Sequence, residues 1–279
     1  MNTNVAILGN SGMLGHAIER IFKREFSTVR GYGRETLDVF PRKLNDMGAR
    51  LSMILGHQTD YVVNCIGAIK PTFDKATDHT IPIYTNAVFP HQLATWGELT
   101  DTKIIHITTD CVYSGAKGRY VESDPHDAHD AYGKSKSLGE PANAMVIRTS
   151  IFGPELGGRK RSFLEWIKGQ RGKKVDGYTN HYWNGVTTVE LANGLLDVVT
   201  SDVWAKGLYH VFSEDVTKYD MVSQISEAYN LELTINPHET ETCVDRTMST
   251  EKDLNDFMQP ACFSNMLYDL VDFETTLDA

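Results

Sequence analysis

The run Val5-Ala-Ile-Leu-Gly9-Asn10-Ser11-Gly12-Met13-Leu14-Gly15 decides the fold. Four apolar residues read as a buried strand. Behind the G-x-x-G-x-x-G turn, Leu14, Ala17, Ile18, Ile21 and Phe22 recur at helical spacing. Glycines in such a turn allow a sharp bend and a close approach of backbone to a pyrophosphate, and the helix N-terminus offers free N–H groups and a partial positive charge. Residues Gly9 through Gly15 are therefore candidate dinucleotide contacts.

Working outward, the same rhythm continues. Thr28–Tyr32, Tyr61–Ile66, Lys103–Thr108, Ala144–Arg148 and Gly207–Phe212 read as further strands. Helical patterns lie near residues 42–55, 85–99, 130–140, 188–199 and 216–229. Strand and helix in alternation predict a parallel, doubly wound α/β sheet of the Rossmann type. Residues 153–183, rich in Gly, Lys and Arg, and the irregular, acidic residues 235–279 break the rhythm. The expected division is a dinucleotide-binding domain over 1–152, to which 184–234 return, and a smaller substrate lobe within 153–279.

Composition narrows the function. The 279 residues carry 27 basic and 37 acidic side chains, a net charge of −10, which repels nucleic acid and anionic lipid. The four cysteines, Cys65, Cys111, Cys243 and Cys262, are too dispersed for a zinc site or a disulfide framework. No signal peptide or membrane-spanning run is read, so a cytoplasmic protein without a structural metal is expected.

The end of the second strand should select the cofactor. An acidic residue there suits the ribose of NAD, and an Arg suits the 2′-phosphate of NADP. Gly31-Tyr-Gly33-Arg34-Glu35 places Arg34 nineteen positions after Gly15, which favours NADPH, with NADH kept open by Glu35. Asp38 and Val39 are candidates beside the adenine.

Tyr132-Gly-Lys-Ser-Lys136 and Thr108-Thr109-Asp110-Cys111-Val-Tyr113 carry the chemistry. Tyr132 and Lys136 at i,i+4 share one helix face. A cation beside a phenol lowers its pKa from about 10, so that it can serve as acid or base near neutrality. A threonine hydroxyl at the preceding strand end would hold a substrate carbonyl against it. His106, on an apolar strand, reads as a core residue. Trp183, before Asn184, reads as a core anchor or as a flat surface for a sugar or base. Arg159-Lys160-Arg161, with Lys168, Arg171, Lys173 and Lys174, reads as a solvated face or as an attractor for a substrate diphosphate.

These motifs, with Asn64–Ala68, Asn86-Ala87, Gly139-Glu140, Arg148–Pro154, Phe163–Trp166, Asn184–Thr188 and Asp245-Arg246, resemble the extended short-chain dehydrogenase/reductases nearly end to end. They resemble in particular the dTDP-4-dehydrorhamnose reductase group. The resemblance implies NADPH-dependent reduction of the 4-keto group of a nucleotide-linked 6-deoxyhexose, in deoxysugar and polysaccharide biosynthesis. Tyr132 would be proton donor, Thr109 the carbonyl-orienting hydroxyl and Lys136 the cofactor-positioning lysine. Cys65, Ile66, Gly67, Ala68, Asn86, Thr108, Thr149 and Ser150 would face the cofactor. Lys70, Thr109, Asp110, Trp183 and Asn184 would face the substrate, and a homodimer is expected.

Two departures stand out. Cys111 occupies a position that is usually aromatic in rhamnose reductases and resembles the cysteine of bifunctional 3,5-epimerase/4-reductases, with Lys160 or Lys168 as its partner. Gly67-Ala-Ile-Lys70 differs from the usual substrate loop, which leaves the sugar open. A third reading is a non-catalytic, nucleotide-binding regulatory subunit, similar to that of methionine adenosyltransferase.

Overall fold

The computed structural model describes residues 3–40, 47–56, 58–156 and 162–277. Its centre is a six-stranded parallel sheet. In chain order the strands are β1 (Asn4–Leu8), β2 (Thr28–Tyr32), β3 (Tyr61–Asn64), β4 (Lys103–Thr109), β5 (Met145–Thr149) and β6 (Gly207–His210). Across the sheet they run β6-β5-β4-β3-β1-β2. The sheet has the Rossmann-type doubly wound order expected of the sequence.

The two-residue period of a strand explains the layers. Val5 and Ile7 of β1 enter one apolar cluster, and Ala6 and Leu8 enter the other. Both faces are thus covered, as a parallel sheet requires. Ala17, Ile18, Ile21 and Phe22 of α1 (Gly15–Phe22) fill the first cluster. α2 (Met47–Leu55) and α3 (Phe89–Thr100) fill the second with Leu51, Leu55, Phe89, Leu93 and Trp96.

Strand order reverses between β1 and β3, and there the carboxyl ends open a crevice. Further along lie α4 (Ala131–Ser137), α5 (Phe163–Lys168), α6 (Thr188–Thr200) and α7 (Lys218–Ala228). Short strands gather near these helices. Lys174–Tyr178 pairs with Thr234–His238, and His181–Trp183 lies between Val216–Thr217 and Val244–Asp245.

One expectation fails here. Residues 235–279 are not irregular, because α8 (Phe263–Thr275) closes the chain. Phe263, Met266, Leu267, Leu270 and Phe273 form a buried stripe at helical spacing, and the stripe belongs to the first cluster together with α6 and α7. The interspersed Asp269 and Asp272, which masked the stripe in the sequence, are exposed. Residues 159–161, the densest part of the basic run, lie outside the described residues. Among the described residues no helix is long and apolar enough to cross a membrane.

Candidate active site

The glycine turn caps the crevice. Gly9 sits at φ +81°, and a Cβ there would stand 3.1 Å from Ile66 Cγ1, so the turn lies directly on the loop after β3. A Cβ on Gly15 would run into the Gly9 carbonyl and lie 2.8 Å from Asn10 Cα, which is why the helix can begin so close to the strand. Ser11 is exposed, Gly12 and Met13 are half-buried, and Leu14 is buried.

At the end of β2, Arg34 is exposed, whereas Leu37 and Val39 are buried. Asp38 accepts from Arg50 Nη1 through its backbone carbonyl (2.9 Å). A carboxylate missed in the sequence also reaches this corner. Glu19 accepts from Asn10 Nδ2 (2.8 Å) and pairs with Lys23 (2.7 Å), and a Cβ on Gly31 would stand 2.5 Å from its Oε2. The i,i+4 pair Glu19–Lys23 was its one sequence signal, and that pattern marks an ordinary solvated face.

The loop after β3 is held from the opposite side by Asn86, in a π-helical turn over Tyr84–Val88. Asn86 Oδ1 accepts from Ala68 N (2.7 Å), while its Nδ2 donates to Ala68 O (2.9 Å) and to Ser135 Oγ (3.0 Å). Asn86 therefore ties Ala68 to α4. The helix that carries Tyr132 and Lys136 starts at Asp130, whose carboxylate caps it by accepting from Gly133 N (2.7 Å) and pairs with the exposed Lys70 (3.1 Å). Phe73 meets the Tyr132 ring edge-on at 6.1 Å.

Tyr132, Thr109, Asp110 and Cys111 meet at the end of β4. Thr109 Oγ1 donates to Asp110 Oδ1 (3.0 Å) and accepts from Cys111 N (3.1 Å), and the Tyr132 phenol lies within the electrostatic reach of Asp110 and Cys111. Burial drives the Tyr132 phenol upward, Cys111, Asp110 and Asp130 push the same way, and Thr109 opposes them. The sequence pointed to Lys136 as the group acting on the phenol. Instead, Lys136 Nζ donates to Ile107 O (3.2 Å), and a Cβ on Gly67 would lie 3.8 Å from it. Burial lowers Lys136 to about 8, against the pull of Glu140 and Cys65. A buried amine at the floor of the crevice is suited to bonding a ribose.

Burial also raises the Cys65 and Cys111 thiols to about 12. Both are protonated at neutral pH. Thr108 Oγ1 is buried without a hydrogen-bond partner among the described residues, an orphaned hydroxyl beside the crevice. Thr149 is buried on β5, next to the half-buried Ser150.

Other candidates are engaged elsewhere. Asn184 donates to Met248 O (2.8 Å) and Asp215 Oδ1 (3.0 Å) and accepts from Met248 N (2.9 Å), so its amide is used in holding the chain together. Trp183 is buried edge-on to Phe152 (5.7 Å) and Phe263 (5.8 Å), which makes it a core anchor. His106 is buried, with Nδ1 3.0 Å from Asn64 Nδ2. Lys168, a suggested partner of Cys111, is clamped by both Glu274 oxygens (2.5 and 2.8 Å) on α8. Arg171 donates to the carbonyls of Tyr229 and Asn230. Among the described residues no group of three or more His, Cys, Asp or Glu side chains could hold a metal ion.

Residues 3–252 match the family model described as the RmlD substrate binding domain. The chain belongs to that family. A relative within reach of this RmlD-type chain is the methionine adenosyltransferase 2 subunit beta of Danio rerio, 28% identical over 81% of this chain and 74% of the relative. Another is a probable dTDP-4,6-dihydroxy-2-methyloxan-3-one 4-ketoreductase of Streptomyces antibioticus, 28% identical over 78% and 75%. Among solved structures, a dTDP-4-dehydrorhamnose reductase of Bacillus anthracis in complex with NADP shares the fold. It aligns at TM-score 0.79 and 18% identity, covering 98% of this chain and all of that one.

Proposed function

We propose that this chain reduces the 4-keto group of a nucleotide-linked 6-deoxyhexose with NADPH. The observation that carries the reading is that α4 sets Tyr132 beside Thr109 at the end of β4 and seats Lys136 on Ile107 O, near Gly67 of the crevice roofed by the Gly9–Gly15 turn. The Streptomyces ketoreductase and the NADP-bound Bacillus reductase support it.

The residues fit a nicotinamide dinucleotide. Gly9 to Gly15, with the N-terminus of α1, would take the pyrophosphate, and the exposed Ser11 and Arg34 would take the 2′-phosphate beside Gly33. Cys65 to Ala68, the orphaned Thr108 hydroxyl, Thr149 and Ser150 would line the nicotinamide end, and Lys136 would bond its ribose. When bound, the cofactor supplies an electron pair and hydrogen to the carbonyl carbon.

The chain's own residues do the rest. Thr109, fixed by Asp110 and the Cys111 amide, orients the carbonyl oxygen. Tyr132 donates its proton to that oxygen as negative charge develops there. The phenol rests high because it is buried, so it arrives protonated and ready to donate. Lys136 adds positive field at the crevice floor in its ammonium form.

The relationship to methionine adenosyltransferase 2 subunit beta favours one second reading, a binding subunit without turnover. The epimerase reading has lost Lys168, which Glu274 holds. A screen of dTDP-, UDP- and GDP-linked 4-keto-6-deoxyhexoses, with NADPH and NADH, tests the proposal by absorbance of the reduced nicotinamide. Oxidation of NADPH with one of these sugars supports it. Tight cofactor binding without oxidation by any of them supports the subunit reading.

A further inference from the structure

Glu19 lies on α1, outside the glycine turn and outside the end of β2, yet it controls a side chain of the turn. Its Oε2 accepts from Asn10 Nδ2 (2.8 Å), and its Oε1 pairs with the exposed Lys23 (2.7 Å). Amide and carboxylate are packed onto β2. A Cβ on Gly31 would stand 2.5 Å from Glu19 Oε2 and would collide with Asn10 Nδ2, so a glycine at position 31 is what lets the pair lie on the strand.

A carboxylate only accepts, and it must therefore face the NH₂ end of the Asn10 amide. The carbonyl end then points the other way. A Cβ on Gly33, the residue after β2, would lie 3.4 Å from Asn10 Oδ1 and 3.9 Å from Ser11 Oγ. Among the described residues no donor bonds Oδ1. An uncommitted acceptor thus stands at the end of the second strand, where folds of this type read the adenosine ribose of a dinucleotide. Glu35, the acid that kept NADH open in the sequence, is exposed.

The two coenzymes differ at this ribose by one group. The 2′-hydroxyl of NAD(H) can donate to Oδ1, whereas the 2′-phosphate of NADP(H) offers acceptor oxygens that Oδ1 repels. Arg34 pulls toward the phosphate. We infer that Glu19, by fixing the Asn10 amide, is a positioning residue that holds a hydrogen-bond acceptor toward the adenosine ribose and so admits NAD(H) beside NADP(H). The inference rests on the proposed dinucleotide site and refines its choice of cofactor.

Calorimetric titration of NAD⁺ and NADP⁺ into the full chain reads this without turnover. The wild type should bind both. Glu19→Met releases the amide, and the ratio of the NAD⁺ Kd to the NADP⁺ Kd should rise about fivefold, the weight of one hydrogen bond. Glu19→Gln keeps an oxygen that can accept from Asn10, and its ratio should stay within about twofold of the wild type. Both substitutions remove the same charge, so the difference between them reads the amide rather than the field. Asn10→Ala deletes the acceptor itself; it should repeat the Glu19→Met result and serves in its place should that variant fold poorly.

Equal shifts in Glu19→Met and Glu19→Gln, which charge alone would produce, would overturn the inference. An unchanged ratio in Glu19→Met would do the same, as would a wild type that binds NADP⁺ alone or neither coenzyme. Failure of the reductase reading would look different: a coenzyme ratio that follows Glu19 in this way, with no keto sugar reduced.

Discussion

Arg148→Met should be strongly destabilising although it lies outside the crevice. Arg148 is 0% exposed and grips Glu140 through two bonds, Nε to Oε1 (3.2 Å) and Nη2 to Oε2 (2.7 Å). It also faces Tyr113 Oη, His210 Nε2 (2.8 Å) and His126 Nε2 (2.6 Å). A guanidinium only donates, so both imidazoles must accept at Nε2 and stay neutral, with their protons on Nδ1. That tautomer lets His210 Nδ1 donate to Ser249 O (2.7 Å). Removal of the cation leaves the Glu140 carboxylate, whose side chain is 9% exposed, without its partner. Breaking one side of such a buried pair costs about 3–5 kcal/mol. At roughly 2–4 °C per kcal/mol for a chain of this size, the melting temperature should fall by about 6–20 °C. Thermal unfolding followed by circular dichroism at pH 7.5 reads this directly. Glu140→Gln should also destabilise, and the double variant Arg148→Met/Glu140→Leu should lose less than the sum of its parts. A shift under about 2 °C for Arg148→Met, against the roughly 6 °C minimum expected, or strict additivity in the double variant, would refute the reasoning.

Three further outcomes follow from the packing. Burial lowers both His126 and His210 below the ordinary value of 6.5, so the stability they contribute is present above that value and lost as pH falls through their folded pKa. Urea midpoints should drop on acidification from pH 6.5, and less steeply in Arg148→Met; a flat wild-type profile would contradict this. Iodoacetamide at pH 7.5 should label Cys262 first, since Ser264 and the Asn265 amide pull that exposed thiol down, and should spare Cys65 and Cys111 at about 12. Peptide mass spectrometry showing early labelling of Cys111 would count against its burial. Phe273→Ala should cost about 3–5 kcal/mol in thermal unfolding, because the ring belongs to the first apolar cluster; a loss below about 1 kcal/mol would detach α8 from the core.

Local signals carried much of the fold. Apolar runs bounded by turns located the six strands, and the glycine turn located the crevice, because both depend on neighbours within a dozen residues. α8 was missed although its stripe from Phe263 to Phe273 was there to be read; the acidic residues between made it look solvated. The Tyr132–Lys136 spacing correctly placed both side chains on one helix, but spacing does not show where an amine ends up. Only the packed structure reveals that Lys136 reaches Ile107 O and that Thr109 turns its hydroxyl to Asp110. Asn184 looked like a ligand residue because an amide can donate and accept; its partners Met248 and Asp215 come from distant segments. Lys218 had no sequence signal at all. It stands over the Trp183 ring through the pairing of Val216 with Trp183, a long-range contact that no periodicity encodes.

The central claim is reduction of a sugar carbonyl beside Tyr132. It is tested most directly with a nicotinamide cofactor deuterated at its reactive carbon and a nucleotide-linked 4-keto-6-deoxyhexose, the product being read by mass spectrometry and NMR. The account predicts one deuterium on sugar carbon 4, formed about 10²–10⁴-fold more slowly by Tyr132→Phe, with cofactor affinity nearly unchanged. Product without deuterium at that carbon, or a Tyr132→Phe variant as fast as the wild type, would contradict it.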